Sequence, residues 1–383
     1  MQRRWPAMPT CTKQILPGQI IGIVGGGQLG QMMTLVAKEM GFRVIILDPQ
    51  ADCPAGQVAD DQIVAAYDDQ SQIMALAKRV DVLTYEFENV DAQTIEAAQA
   101  YTWIPQGTKA LRIAQDRLLE KQFLVDQQLP HAAFEIVTTQ AELVTAVAKV
   151  GFPCLLKTTR GGYDGKGQVI LRSATDIAAA EQLLTAGICV LEAMVHFDQE
   201  ISVMISQNSS GQQAIFPVIE NQHRDNISHI SICPARIPAA LAEQAQSVAA
   251  KIAAQIELVG TLGVEFFVGQ DGQLYVNEIA PRPHNSGHLT IEACDFSQFA
   301  THIRGVCNWP LQQPRLWQSA IVVNVLGQHW QVALDASRQS AVWHYHDYGK
   351  DVQKTNRKMG HVTVLTNTVE ETLVALKATK IWD

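Results

Sequence analysis

The chain has 383 residues and a mass of 42.1 kDa, which is enough for two or three domains with hydrophobic cores. A composition of 47% hydrophobic and 17% charged residues excludes a disordered protein, and the longest apolar runs are far too short to span a membrane. The net charge of −9 argues against nucleic acid as a partner.

The N-terminal residues and the cysteines indicate where the protein resides. Residues 1–18 contain no long apolar stretch, so we expect a tail rather than a signal peptide. The seven cysteines are scattered, and no two of them form a Cys-x-x-Cys pair. They are typical of reduced core residues, and we therefore expect a cytoplasmic protein.

The first ordered segment is predicted to be a strand, a glycine turn, a helix and a second strand, over residues 19–48. Gly25, Gly27 and Gly30 fit the pattern G-x-G-x-x-G, and Asp48 follows about 20 residues later, at the end of the second strand. Taken alone, this pattern predicts a nicotinamide-dependent dehydrogenase. The same turn would also bring backbone N–H groups at a helix N-terminus close to another phosphate or ribose.

A third strand-like run, VDVLTYEFE, begins at Val80. Its end places Tyr85, Glu86 and Glu88 at the carboxyl edge of the predicted parallel sheet, where α/β folds bind ligands. Each acid could equally be a helix cap or a solvated loop residue. Farther along, the run ALRIAQDRLLEKQFLVDQQ predicts one long amphipathic helix that ends before Pro130 and marks the exit from the first domain.

A glycine-rich hairpin is predicted in the run GFPCLLKTTRGGYDGKGQVILR. The loop between its two strands contains Gly161, Gly162, Gly165 and Gly167. It lacks the G-x-x-x-x-G-K-[ST] pattern of a P-loop, and it joins two strands rather than a strand and a helix. Because glycine lets a backbone approach a ligand closely, this hairpin could fold over nucleotide phosphates as a lid, with Lys157 and Lys166 supplying positive charge.

Two later strands carry acids in apolar surroundings, in the runs CVLEAMV and FDQEISVMI. Isolated buried acids need partners. Glu192, with the backbone at Val195, could contact an adenine edge, and Glu200 could accept hydrogen bonds from ribose hydroxyls. Either acid could instead belong to a structural ion pair.

The run GVEFFVGQDGQLYVNEIA predicts a β-hairpin with its turn at residues 271–272. Counting from this turn places Glu265 opposite Glu278 and Phe266 opposite Asn277. Facing residues have Cβ atoms about 5 Å apart, and two bare carboxylates at that spacing repel by roughly 3 kcal/mol at an effective dielectric constant near 20. Oxygen ligands of this kind favour Mg²⁺, with Mn²⁺ as an alternative, and substrate phosphates would complete the coordination.

The loop PRPHNSGH follows this hairpin. His284 and His288 are spaced by four residues, which on a helix would indicate a zinc site. Pro281, Pro283 and Gly287 disfavour a helix here, so we do not expect zinc.

The runs KTTRGGYDGKGQ, TYEFENV, GVEFFV, VNEIAPRPHNSGH followed by SQFATHIR, and YGK with RKMGH together cover nearly the whole chain from about residue 19. They resemble the 5-(carboxyamino)imidazole ribonucleotide synthases, a family of ATP-grasp enzymes in purine biosynthesis. The resemblance implies a multidomain α/β and α+β protein that forms a homodimer. It also implies a Rossmann-like pre-ATP-grasp domain at 19–115, an ATP-grasp domain at 116–305 with its lid subdomain at about 130–193, and a small C-terminal β-rich domain at 306–383.

The resemblance also implies the roles of individual residues. The nucleotide would be held by Arg117, Lys157, Gly162, Tyr163, Asp164, Gly165, Lys166, Gly167, Gln168, Glu192, Ala193, Met194, Val195, Glu200, His223, Asn277 and Glu278. The aminoimidazole ribonucleotide would be bound by Gln28, Leu29, Tyr85, Glu86 and, at its 5′-phosphate, by Lys350 and Arg357. The metal would be held by Glu265 and Glu278.

The implied reaction uses ATP to convert bicarbonate to carboxyphosphate, which the exocyclic amine of the ribonucleotide then attacks. Lys157 would assist the phosphoryl transfer, and Arg282 and Asn285 would orient bicarbonate, because the planar fork of arginine matches such an anion. Either Asp164 or a phosphate oxygen could accept the proton of the amine. The lid would close to exclude water, since carboxyphosphate hydrolyses easily.

Other functions are compatible with parts of the sequence. Another ATP-grasp ligase, one that activates formate or a different carboxylate, would share the metal hairpin and the lid. A dehydrogenase would explain GGGQLG and Asp48, but it would leave the facing Glu265 and Glu278 without a purpose. A nucleotide-binding regulator without catalytic activity would have little reason to keep both metal acids.

Overall fold

The computed structural model describes residues 13–161, 167–185 and 187–382 of the chain, and within these residues the strands form three sheets. No helix in this part of the chain is long and apolar enough to cross a membrane. The described cysteines are buried and free. Part of the predicted N-terminal tail belongs to the fold, because Ile15 is buried and its N–H donates to the carbonyl of Cys307 at 3.1 Å.

The N-terminal region forms the predicted strand, glycine turn, helix and strand. Its elements in chain order are β1 (Ile20–Val24), α1 (Gln28–Glu39), β2 (Arg43–Asp48), β3 (Asp61–Val64), α2 (Gln70–Ala77), β4 (Val82–Tyr85) and α3 (Ala92–Ala98). The strands pair in parallel in the order β3-β2-β1-β4, and apolar residues fill the cores on both faces. The strand order reverses between β1 and β4, which leaves a crevice at their carboxyl ends.

The segment predicted as one long helix contains two helices, α4 (Lys109–Ala114) and α5 (Arg117–Asp126). The prediction was wrong at Asp116, which has an extended backbone and accepts the N–H of Leu118 as the N-cap of α5. The preceding Gln115 donates its side-chain amide to the carbonyls of Glu88 and Val90. These contacts with side chains and loops favour a break that the hydrophobic pattern does not reveal.

A small antiparallel sheet follows. Its elements are β5 (Phe134–Val137), α6 (Gln140–Val150), β6 (Cys154–Thr158), β7 (Gln168–Leu171), a 3₁₀ helix (Ala174–Asp176), α7 (Ile177–Leu184) and β8 (Cys189–Ala193). The strands pair in the order β5-β8-β6-β7. The predicted strands on either side of the glycine-rich loop are confirmed, since β6 and β7 pair with Lys157 opposite Gln168. The centre of the predicted lid, residues 162–166, lies outside the described residues.

The next region supplies the first half of a large sheet. Its elements are β9 (Phe197–Gln207), β10 (Gln213–Ile215), β11 (Ile219–Arg224), β12 (Ile227–Cys233), α8 (Ala239–Gln255), β13 (Gly260–Gly269), β14 (Leu274–Ala280), a 3₁₀ helix (Asn285–Leu289), α9 (Thr290–Ala293) and α10 (Gln298–Val306). Helix α8 packs on this sheet through small and branched apolar residues, including Ala245, Ala249 and Ile252.

The β13–β14 pair, here called the metal hairpin, has the predicted facing acids but not the predicted register. Glu265 pairs with Glu278, which confirms the prediction. Phe266 pairs with Val276, so its predicted pairing with Asn277 was wrong. A β-bulge between Glu265 and Phe266 leaves Asn277 as the extra residue and shifts the register by one. The count from the turn reached the right partner for Glu265 only because this bulge offsets a one-residue error nearer the turn.

The C-terminal region continues the large sheet. Its elements are β15 (Ser319–Leu326), a 3₁₀ helix (Gly327–His329), α11 (Trp330–Ser337), β16 (Trp343–Asp347), β17 (Lys358–Thr366) and α12 (Val369–Ala378). Strand β15 pairs with β12, and the whole sheet has the order β14-β13-β9-β11-β12-β15-β17-β16, with β10 beside β9. The C-terminal region thus shares its sheet with the metal hairpin.

Candidate active site

A cavity of about 730 Å³ lies where the three sheets approach one another. Its walls include side chains from the N-terminal crevice, the small antiparallel sheet, the metal hairpin and β17. Most of the predicted site residues line it: Gln28, Leu29, Glu86, Arg117, Lys157, Gln168, Glu192, Ala193, Met194, Val195, Glu200, His223, Glu265, Asn277, Glu278, Arg282 and Asn285. Folding therefore gathers residues that lie far apart in the sequence into one site.

The other predicted residues either do not line this cavity or fall outside the described residues. Tyr85 is fully buried and its hydroxyl donates to the carbonyl of Gly107 at 3.1 Å, so a direct substrate contact by Tyr85 is not supported. Lys350 and Arg357 lie outside the cavity wall, whereas their neighbour Lys358 lines it. Gly167 accepts the N–H of Thr158 at the start of the loop. Gly162, Tyr163, Asp164, Gly165 and Lys166 lie outside the described residues.

The facing acids of the metal hairpin have opposite shifts in pKa. Burial opposes ionisation of Glu265, but His284, whose Nε2 lies 3.2 Å from the carboxylate, acts with His223 and Lys358 to lower the pKa of Glu265 to about 2. Burial and the negative charges of Glu265 and Glu88 raise the pKa of Glu278. The pair therefore favours either a proton on Glu278 or a cation between the two carboxylates.

The donor set at the metal hairpin fits a hard divalent cation. Two carboxylates face each other and the amide of Asn277 stands beside them at the bulge. No group of three histidine, cysteine or acidic side chains in the described parts of the chain is arranged to hold a metal. Mg²⁺ bound here would thus take its remaining ligands from water and from nucleotide phosphates.

The carboxylate of Glu192 forms ion pairs with two lysines and is not free to bind an adenine base. Its Oε2 lies 3.2 Å from both Lys121 Nζ and Lys157 Nζ, and all three side chains are largely buried. Burial opposes ionisation, but the two ammonium groups lower the pKa of Glu192. The predicted adenine contact of the Glu192 side chain is thus replaced in this structure by an ion-paired triad that positions Lys157 against the cavity.

Helix α5 carries two further residues that the sequence did not identify. Lys121 belongs to the triad just described. Glu120 is buried, and its Oε1 accepts the N–H of Ile279, the residue after Glu278, at 2.9 Å. Burial raises the pKa of Glu120 to about 7, even though Lys121 opposes the shift. With Arg117 at the start of the helix, these residues share one helical face. The only signal in the sequence was that spacing, within an apparently ordinary amphipathic helix.

Glu200 and His223 form the next part of the wall. His223 Nδ1 lies 2.8 Å from Glu200 Oε2, on neighbouring strands β11 and β9. Burial opposes protonation of the imidazole, but the hydrogen bond and charge of Glu200 raise the pKa of His223. The pair can offer both an acceptor and a donor to sugar hydroxyls or phosphate.

The N-terminal glycine turn is closed by acids of the protein itself. Glu86 accepts the N–H groups of Gly27 and Gly30 at 2.6 and 2.5 Å, so its carboxylate occupies the N-terminus of α1. Asp48 accepts the N–H of Gly26 and the hydroxyl of Tyr67. A Cβ at Gly27 would lie only 2.7 Å from Glu86 Oε1, which explains the glycine. This arrangement leaves the turn and Asp48 unavailable to a dinucleotide.

The loop after β14 places Arg282 and Asn285 in the cavity wall. Arg282 forms a two-pronged ion pair with Glu88, which follows β4 of the N-terminal sheet. Asn285 donates its amide to Ser228 Oγ at 3.3 Å, and its amide oxygen is buried without a hydrogen-bond partner among the described residues. His288 is fully buried behind the loop, and His284 faces Glu265, so the two imidazoles have different surroundings.

The basic turn at residues 350–358 lies beside this wall. Lys350 Nζ donates to the carbonyl of Lys358 at 2.7 Å, and Arg357 Nη1 donates to the carbonyl of Val352 at 2.6 Å. Burial, reinforced by the charge of Arg357, lowers the pKa of Lys350 to about 8. The turn concentrates positive charge next to the N-terminal crevice, where Gln57 donates to the carbonyl of Gly349 at 2.9 Å.

A metal hairpin on one sheet, a lysine on a facing antiparallel sheet and a glycine-rich connection between its strands define an ATP-grasp enzyme. Family models agree: the ATP-grasp domain matches residues 122–299, the ribonucleotide synthetase preATP-grasp domain matches 19–115, and the phosphoribosylaminoimidazole carboxylase C-terminal domain matches 320–374. These matches confirm the predicted three-part fold.

Comparison with individual relatives identifies the family within the ATP-grasp enzymes. The chain is 46% identical over 356 residues to the N5-carboxyaminoimidazole ribonucleotide synthase of Staphylococcus saprophyticus, covering 93% of this chain and 95% of the relative. A solved ADP complex of an N5-carboxyaminoimidazole ribonucleotide synthetase superposes with a TM-score of 0.94 at 47% identity, over 97% of this chain and 99% of the other. The enzyme of Aspergillus clavatus with ADP and 5-aminoimidazole ribonucleotide gives 0.90 at 29% identity, over 96% and 100% of the two chains. The chain belongs to the N5-carboxyaminoimidazole ribonucleotide synthase family.

Proposed function

We propose that the chain uses ATP and bicarbonate to carboxylate the exocyclic amine of 5-aminoimidazole ribonucleotide, with carboxyphosphate as the intermediate. The products are N5-carboxyaminoimidazole ribonucleotide, ADP and phosphate. The observation that carries the proposal is the shared cavity, in which the metal acids, Lys157 and Arg282 meet the carboxyl edge of the N-terminal sheet. Membership of the family supports the same reaction.

The nucleotide would lie between the small antiparallel sheet and the metal hairpin. Lys157 and Gln168 face this space from paired positions on β6 and β7, and His223 with Glu200 faces it from the opposite sheet. Glu265 and Glu278, with Asn277 beside them, would hold Mg²⁺, which would neutralise the charge that develops on the transferred phosphoryl group. The backbone at 193–195 lines the same wall and is the proposed contact for adenine.

Bicarbonate would bind at the loop after β14. The Arg282 guanidinium supplies donors in a plane, and the partnerless amide oxygen of Asn285 can accept the bicarbonate hydroxyl. Both groups stand in the same wall as Glu278, so the attacking oxygen would lie close to the nucleotide phosphates. A loop with a guanidinium donor and an amide acceptor suits bicarbonate, which is an anion that also carries a hydroxyl donor. Formate has no hydroxyl to donate.

The acceptor ribonucleotide would lie in the N-terminal crevice. Gln28 and Leu29, at the start of α1, and Glu86 line this end of the cavity. Lys350 and Arg357 would hold the 5′-phosphate by turning toward the crevice from the neighbouring basic turn. Asp164, on the predicted lid, is the proposed acceptor of the amine proton, and closure of the glycine lid would exclude water from carboxyphosphate.

We further propose a cytoplasmic homodimer and the domain boundaries near residues 115 and 305. The free buried cysteines are typical of a reducing compartment. The dimer rests on the family resemblance of the sequence, and sedimentation of the purified protein at several concentrations would test it. A mass of 42.1 kDa at all concentrations would contradict it.

The function is tested by measuring ADP release with Mg²⁺-ATP and aminoimidazole ribonucleotide, first in bicarbonate-depleted buffer and then after bicarbonate is added. We expect ADP release and acid-labile carbon fixation to rise together only when both substrates are present. If ADP release ignores bicarbonate and responds to formate with another ribonucleotide amine, the ATP-grasp site stands but the substrates are wrong. Unchanged NADH fluorescence on mixing serves as the control against a dehydrogenase.

A further inference from the structure

Glu88 and Arg282 form an ion pair across the cavity, between the loop after β4 and the loop after β14. Arg282 Nε donates to Glu88 Oε2, and Nη2 donates to Oε1 at 3.3 Å. The Arg282 side chain is 17% exposed and the Glu88 side chain is 30% exposed, so the pair is largely withdrawn from solvent. Arg282 Nη1 also donates to the carbonyl of Pro283 at 3.3 Å.

This ion pair connects the proposed acceptor site with the proposed bicarbonate site. Glu88 lies in the loop after β4, at the edge of the crevice that would bind the acceptor, whereas Arg282 belongs to the loop that would bind bicarbonate. The carboxylate of Glu88 has the same planar pair of acceptor oxygens as bicarbonate, so it occupies one bidentate edge of the guanidinium. Bicarbonate at that edge must displace Glu88.

The neighbouring acid, Glu86, is not exchangeable in the same way. Both of its carboxylate oxygens already accept backbone N–H groups, from Gly27 and Gly30. Glu88 is held instead by a side chain, and it lines the cavity at the crevice end with Gln28. An acceptor that brings an amine and ribose hydroxyls into the crevice offers donors that the Glu88 carboxylate can accept in place of Arg282.

We propose that Glu88 couples acceptor binding to bicarbonate activation: without the acceptor it occupies Arg282, and with the acceptor it turns to the amine and releases Arg282 for bicarbonate. This proposal rests on the proposed function. It explains how the site could avoid forming carboxyphosphate, which hydrolyses easily, when no amine is present to trap it. Toward bicarbonate Glu88 acts only through Arg282, and in that respect it is a positioning residue.

The variant Glu88→Gln removes the charge and keeps the shape of the side chain. We expect it to raise bicarbonate-dependent ADP release in the absence of the ribonucleotide by about tenfold or more, because a close ion pair no longer competes for Arg282. The KM for bicarbonate should fall, and the ratio of carboxylated product to ADP should fall as well. Glu96→Gln is the matched control, since Glu96 forms a two-pronged pair with Arg112 on the exposed surface of the same region.

Other results with the same variant would contradict the coupling role of Glu88. If Glu88→Gln raises the KM for bicarbonate and leaves acceptor-independent ADP release at the wild-type rate, Glu88 merely aligns Arg282 and the coupling role is wrong. If Glu88→Gln does not fold, Glu88→Asp keeps the charge but shortens the reach, and acceptor-independent release unchanged in that variant overturns the proposal. A wild-type protein that shows no joint response to bicarbonate and ribonucleotide would instead overturn the proposed function.

Discussion

The charges of Glu265 and Glu278 depend on each other. One has its pKa lowered to about 2 by His284 despite burial, and the other has its pKa raised by burial and by the first. The pair is therefore strained when both acids are ionised and no cation is present. A cation bound at the proposed site would relieve that repulsion, so cation binding and local stability would be linked at this hairpin.

Replacement of Glu278 by Gln should separate these two effects. We expect the affinity for Mg²⁺ to fall by about tenfold or more, with a matching loss of kcat, because one of two carboxylate ligands is lost. The metal-free protein should become more stable than the wild type, because the repulsion from Glu265 is removed. Calorimetric Mg²⁺ titration and thermal unfolding with EDTA measure the two effects. If the metal-free variant melts at a lower temperature than the metal-free wild type, the predicted gain in stability is wrong.

Arg357 should affect the acceptor rather than the nucleotide. Arg357→Ala is expected to raise the KM for the ribonucleotide by about tenfold or more and to leave the KM for ATP nearly unchanged, because a charge-assisted bond to the 5′-phosphate is lost. Lys354→Ala is the control, since Lys354 is an exposed residue of the same basic turn. Equal increases in both KM values would contradict the phosphate role and point to a folding defect.

Lys350 should give the reaction a limit at alkaline pH. Burial, with the charge of Arg357 nearby, lowers the pKa of Lys350 to about 8, so its ammonium is lost as the pH rises through that value. Because phosphate binding needs the charged form, kcat/KM for the ribonucleotide should fall above about pH 8. In Lys350→Arg the guanidinium stays charged, and the decline should move to higher pH. The same decline in both proteins would assign it to another group.

The chemistry of these residues and the pairing of Glu265 with Glu278 could be predicted from the sequence, but the ion pairs of Glu192 and Arg282 could not. The facing acids, Lys157 and Arg282 carry chemical signatures in short motifs. Lys121, the partner of Glu192, and Glu88, the partner of Arg282, lie far from those partners along the chain. They meet them only through the packing of helix α5 and of the loop after β4. An ordinary lysine in an amphipathic helix gives no sign that it is buried.

At the scale of elements, the metal hairpin is fixed from two sides. The bulge beside Glu265 turns Asn277 into the extra residue of the strand, and Glu120 on α5 accepts the N–H of Ile279 at the edge of the sheet. Hydrophobic alternation and an Asp-Gly turn predicted the strands and the facing acids. The bulge and the break between α4 and α5 depend on contacts with distant segments, so periodicity alone does not reveal them.

Glu120 should make the stability of this element depend on pH. Its pKa in the folded protein, about 7, lies above the ordinary value, so ionised Glu120 destabilises the fold increasingly as the pH rises from about 4.5 through 7. Glu120→Gln keeps an acceptor oxygen for Ile279 without the charge. We expect it to match the wild type near pH 4.5 and to exceed it by roughly 1 to 3 kcal/mol near pH 8. Urea unfolding at both pH values measures this, and a pH-independent difference would contradict it.

At the scale of the whole molecule, the site belongs to no single region. The crevice of the parallel sheet, the small antiparallel sheet, the metal hairpin and β17 each supply part of one cavity wall. The resemblance of the sequence to the family implied this three-part organisation, and the family models confirm it. The sequence did not predict that the last part shares a sheet with the second, because strand pairing across such a distance leaves no mark in a local pattern.

The pairing of β15 with β12 has a consequence for any attempt to shorten the protein. A chain ending at Val306 would keep the residues of the hairpin and small sheet that we propose for metal and nucleotide, yet it would expose the backbone edge of β12 along Ile230–Cys233. An unprotected apolar edge recruits strands from other molecules, so such a fragment should aggregate rather than act as a smaller ATPase. The C-terminal strands thus cover this edge permanently and also supply basic residues, so a protein that exchanged them for another domain would need a different partner for β12.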